Sequence, residues 1–122
     1  GILARDSESL AAWYQQTLGW HAVWISETKP RTFFLASANG SMIEIIASKK
    51  TGQGPLPELG DPGHRHLAIA VDDFDKAYAA LQAKKVNFIE PPKEGSGGTK
   101  VVFFRDAEGN ILHLIRRPTP LV

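Results

Sequence analysis

Three short apolar runs each carry one polar group able to bind a cation or move a proton: Glu44 in "SMIEII", His66 in "HRHLAIAV" and His113 in "GNILHLIRRP". A carboxylate or imidazole set among aliphatic side chains costs free energy unless something satisfies it. One carboxylate and two imidazoles are a ligand set for a divalent cation. Zinc accepts N and O donors at about 2.0–2.2 Å, and two histidines with one carboxylate make up the facial triad of non-haem iron sites. Donor type alone does not choose among Zn, Fe, Mn, Ni and Co. Imidazole, with an ordinary pKa of about 6.5, also suits general-base work, and His113 is the candidate catalytic residue. Read singly, His113 is a core histidine satisfied by one hydrogen bond, and Glu44 a charge that guards a sheet edge. His64 follows a glycine and reads as solvated, while His21 reads as a surface residue.

Short strands, two helices and their turns must position these groups. "RDSESLAAWYQQTLGW" has Asp6 or Ser7 as a cap, Glu8 in the first turn, Leu10, Trp13, Tyr14 and Leu18 at helical spacing, and Gly19 as a stop. The runs at 21–26, 31–37 and 41–47 are β-branched and aromatic, separated by Lys29-Pro30 and Asn39-Gly40, and predict strands. Residues 48–63 are rich in Gly and Pro and predict a linker. Beyond it the order recurs: a strand at 65–71, a helix from Asp73 with Phe74, Ala77, Tyr78 and Leu81 on one face, then strands at 86–90, 99–105 and 110–117. The loop "PPKEGSGGTK" reads as an exposed connection.

The recurrence is a duplication. Asp6 superposes on Asp73 at an offset of 67, and Gly40 on Gly109 at an offset of 69, which sets Glu44 directly on His113. The counterpart of His66 falls ahead of Gly1. Alternation puts Met42, Glu44 and Ile46 on one strand face, His64, His66, Ala68 and Ala70 on another, and Ile111, His113 and Ile115 on a third. The opposite faces are aliphatic and suit packing under helices. The expected fold is α+β: two tandem βαβββ modules, 1–47 and 64–117, in one domain, forming a curved, cup-shaped mixed sheet with helices on its convex face. Glu44, His66 and His113 would then converge inside the cup.

These stretches resemble the vicinal oxygen chelate superfamily, which contains glyoxalase I, extradiol dioxygenases, fosfomycin-resistance transferases and bleomycin-binding proteins. The likeness rests on "RDSESLAAWYQQTLGW", "SMIEII", "RHLAIAVDDFDKAYAALQAKKVNFIEPP" and "VVFFRDAEGNILHLIRRP", nearly the whole chain. It implies metal ligands on the first and last strands of each repeat: a place ahead of Gly1, then Glu44, His66 and His113. Glu44 and His66 match the family's usual Glu and His, whereas His113 stands where the family usually carries a Glu that moves the substrate proton. The resemblance also implies a homodimer.

Composition narrows the function classes. Fourteen basic and thirteen acidic side chains leave a net charge of +1, and the Lys and Arg pairs are scattered, so nucleic acid is not an expected partner. The absence of cysteine excludes disulfides, thiolate metal sites and a cysteine nucleophile. No apolar run approaches the ~20 residues of a membrane span and the start lacks a signal-peptide pattern, so a cytoplasmic chain with no membrane partner is expected. Two functions follow for a small-molecule partner. The leading one is a metal-dependent lyase, isomerase or dioxygenase acting on vicinal oxygens. The alternative is a metal-free, drug-sequestering binder whose ligand is lined by some of Trp24, Phe33, Phe34, Phe103 and Phe104. A module without a ligand is the third reading.

Overall fold

Both helices begin where an aspartate can cap them. The Asp6 carboxylate accepts the Ser9 backbone N–H at 3.0 Å and the Ser9 hydroxyl at 2.7 Å, and these bonds hold its pKa below the ordinary carboxylate value. Asp73 accepts the Lys76 N–H at 3.0 Å. The first helix ends at Gly19, whose φ of 70° lets its N–H reach back to the Gln15 carbonyl. The second has no such glycine, and Lys85 takes the left-handed conformation at φ 56°.

The computed structural model describes residues 1–50, 52 and 54–122. Thr51 and Gln53, inside the predicted linker, lie outside the described residues. The chain divides into two compact units, Gly1–Pro55 and Leu56–Val122. The first contains β1 (Ile2–Ala4), α1 (Ser7–Leu18), β2 (His21–Ile25), β3 (Phe33–Ala36) and β4 (Met42–Ala47). Its sheet runs β1-β4-β3-β2, with β1 parallel to β4 and the other pairs antiparallel. The second contains β5 (His66–Ala70), α2 (Phe74–Ala83), β6 (Asn87–Phe88), β7 (Lys93–Glu94), β8 (Lys100–Arg105) and β9 (Ile111–Arg116). Its sheet runs β5-β9-β8-β6, again with a parallel first pair, and β7 also pairs with β8.

Each unit is therefore a βαβββ module, and the α+β duplication read from the sequence is present. Two details differ. The strand expected at 86–90 shrinks to two residues, because Pro91 and Pro92 cannot continue a ladder. The following connection holds β7 and a short 3-10 turn at Ser96–Gly98.

One helix covers one face of each sheet. In the first unit Leu10, Ala11 and Tyr14 of α1 are buried, as are Ala4, Phe33, Leu35 and Ile45 on the strands. In the second, Phe74 and Leu81 of α2 are buried with Val102, Phe104, Leu112 and Leu114. Burying an aliphatic or aromatic side chain of this size contributes about 1.5–3 kcal/mol. None of the helices among the described residues is long and apolar enough to cross a membrane.

The turns before β4 and β9 repeat each other. Gly40 and Gly109 adopt φ of 87° and 90°, a region L side chains enter only with strain. The second turn is more heavily bonded: the Asp106 carboxylate accepts the Glu108 and Asn110 N–H groups and the Asn110 side-chain amide at 2.8–3.0 Å. Part of the predicted linker also docks here. The Arg105 guanidinium donates to the Gly109 and Pro57 carbonyls at 2.8 and 3.2 Å, and a Cβ on Gly109 would lie 2.7 Å from a Leu56 methyl.

These twin turns give a paired prediction. Gly40→Ala meets no neighbour and should cost only the backbone strain, about 1–2 kcal/mol. Gly109→Ala should cost measurably more, because it must also displace Leu56. Urea unfolding of the two variants checks the order, and equal losses would show that Leu56 yields freely.

Candidate functional site

Strand register decides which side chains meet. β9 lies between β5 and β8, with Ala68 opposite His113 on one side and Phe103 opposite His113 on the other. Because side chains alternate, His66, Ala68, Phe103, Ile111 and His113 all lie on the face away from α2. The small Ala68 leaves room for the two imidazoles to approach diagonally across the parallel pair. Their ring centroids are 4.4 Å apart at an interplanar angle of 39°. Phe103 stands edge-on to both, 4.9 Å from His113 and 5.2 Å from His66.

His113 is only 8% exposed, and neither of its ring nitrogens has a hydrogen-bond partner in the protein. Most buried polar groups are paired. The core histidine with one satisfying bond, the simplest reading of the sequence, is not what the fold builds. Loss of hydration, then the neighbouring His66, then Arg117, push the His113 pKa down to about 4. At neutral pH the ring is uncharged, with one nitrogen lone pair unprotonated. His66 is exposed at the rim of this patch. His64 and His21 are exposed, as the sequence suggested.

Glu44 belongs to the first unit and occupies the place His113 holds in the second. It lies opposite Phe34 on β3 as His113 lies opposite Phe103 on β8. Trp24 packs edge-on to Phe34 with centroids 5.6 Å apart. Glu44 is partly exposed and, among the described residues, takes part in no ion pair. The structure thus brings together His66 and His113 within one unit. Among the described residues of neither unit do three His, Asp or Glu side chains gather closely enough to hold a metal ion by themselves. Two features of the site escaped sequence reading: the Arg117 charge acting on His113, and Phe103 touching both imidazoles. The second was accessible, since Phe103 has the parity and register of a β8 residue facing His113.

Comparison with known proteins bears on this arrangement. The Glyoxalase/Bleomycin resistance protein/Dioxygenase superfamily matches residues 1–114. The chain belongs to that superfamily. Solved structures agree in fold. A glyoxalase/dioxygenase from Nostoc punctiforme is 18% identical with a TM-score of 0.78, over 97% of this chain and 88% of that one. TioX from Micromonospora sp. ML1 is 14% identical with a TM-score of 0.72, over 99% and 95%. Lactoylglutathione lyase from Agrobacterium tumefaciens is 20% identical with a TM-score of 0.69, over 94% and 88%. No curated protein sequence matches significantly. At these identities the likeness establishes the glyoxalase-superfamily fold, and chemistry must be read from this chain's own residues.

The depressed pKa makes a signed prediction. The unfolded chain's imidazole titrates near pH 6.5 and that of folded His113 at about 4, so between those values the unfolded state binds more protons. The stability due to neutral His113 is complete above pH 6.5. It falls by roughly 1.4 kcal/mol per pH unit as pH drops toward 4. His113→Phe should remove this component, which denaturant midpoints of both proteins at pH 7 and pH 5 will check. An unchanged difference between the two pH values would place the titrating group elsewhere.

Proposed function

We propose that this superfamily member binds a divalent metal ion through His66, His113 and Glu44 and acts on a small substrate bearing adjacent oxygens. One observation carries the reading: a buried, uncharged imidazole whose two nitrogens have no protein partner lies beside a second imidazole on an open sheet face. Neutral imidazole is the form that metals bind. When bound, a divalent ion supplies Lewis acidity toward the substrate's oxygens.

The chain's own residues divide the work. His113 suits coordination better than proton abstraction, since a general base works best with a pKa near the operating pH and this one lies at about 4. Phe103 limits the rotation of both rings and keeps water from their shared edge. Glu44 is the carboxylate that the duplication and the family resemblance point to, by its equivalence with His113. Zn, Fe, Mn, Ni and Co all accept this donor set.

Isothermal titration of chelator-treated protein with each ion tests the reading. One ion per chain is expected, and His66→Ala and His113→Ala should each weaken binding at least about tenfold, or about 1.4 kcal/mol. Acetohydroxamate, which offers two adjacent oxygens, should bind the metal-loaded protein and not the metal-free one. A chain that takes up no ion would end the proposal.

A second reading has its own support in the ring clusters, Phe103 with His66 and His113 and Trp24 with Phe34, which offer flat surfaces to a planar ligand. If chelator-treated protein binds planar aromatics as tightly as metal-loaded protein does, the metal-free binder is the better description.

A further inference from the structure

β2 ends the first unit's sheet, pairing with β3 on one side and with no strand on the other. Such an edge offers a row of unpaired backbone N–H and C=O groups, and proteins usually blunt it with Pro, Lys or an interruption. The repeat-related edge of the second unit is treated that way. β6 stops after two residues, Pro91 and Pro92 follow, and the edge resumes only as β7 at Lys93 and Glu94. β2 is an unbroken run, His-Ala-Val-Trp-Ile, with no Pro, Lys or acid. Val23, Trp24 and Ile25 are 49%, 53% and 44% exposed. Its one irregularity, a register shift between Ala22 and Trp24, lies in its pairing with β3.

We propose that β2 is the surface through which two copies of this chain associate, the two strands pairing antiparallel about a twofold axis. Three observations favour a second copy over an unrelated strand. Run antiparallel to itself, β2 sets one apolar stretch against another, with His21 its sole titratable side chain and no fixed like charges opposed. The net charge of +1 gives little long-range repulsion between copies. The pairing also closes, because each copy uses its single β2 edge and no further β2 is left for growth. It gives the expected homodimer a defined surface, independent of whether metal binds.

Sedimentation equilibrium of the full chain, from micromolar to submillimolar concentration, tests this. The expected mass at the upper end is twice the 13.4 kDa of one chain. Val23→Lys should weaken self-association at least about tenfold by opposing two ammonium groups at the edge, with the far-UV circular dichroism unchanged. The chain has no cysteine, so Val23→Cys introduces a unique thiol and should form a disulfide-linked dimer under mild oxidation. A wild-type chain that stays monomeric, or a folded Val23→Lys that dimerises as tightly as wild type, overturns the proposal. If Val23→Lys fails to fold, the Val23→Cys result decides: no cross-linked dimer counts against β2.

Discussion

The placement of a polar residue at the middle of a central, doubly paired strand governs this protein's chemistry. β9 is bonded on both sides, to β5 and to β8, so its register cannot slip by one residue without moving Leu112 and Leu114 out of the core under α2. That hydrophobic requirement locks His113 onto the opposite face. Packing that secures Leu112 and Leu114 thereby fixes where the imidazole stands, and the neighbours that surround it remove its water. Lowered basicity and unpaired nitrogens are consequences of that confinement.

The duplication shows how one scaffold carries two kinds of polar face. Both units set their first strand parallel to their last and place the third strand beside it in the same register. The aliphatic faces under the helices are preserved between the copies, since they serve the same core. The other faces have diverged. Trp24, Phe34 and Glu44 stand in the first unit, His66, Phe103 and His113 in the second. The outer edges have diverged too, one apolar and continuous, the other broken by prolines.

Much of this was legible in the amino-acid sequence because it is local. Asp6 and Asp73 cap helices, Gly40 and Gly109 occupy positive-φ turns, and the two offsets aligned Glu44 with His113, as the ladders confirm. Period-two alternation placed His66 and His113 on one face. What could not be read depends on contacts distant in sequence. The docking of Leu56 and Pro57 on the 105–109 turn is one case, and it gives order to residues that composition alone marks as linker. The left-handed Lys85 is another, a position where glycine is the usual signal and is missing. The unpaired state of the His113 ring is a third, because a hydrogen-bond inventory requires every neighbour.

The central claim, that burial keeps His113 neutral and available as a metal donor beside His66, is tested most directly by anomalous diffraction from crystals grown with zinc. The expected result is one anomalous peak at about 2.0–2.1 Å from a ring nitrogen of each histidine, the ordinary Zn–N distance. Density with no ion near either ring, and both His113 nitrogens hydrogen-bonded to ordered water, would contradict it.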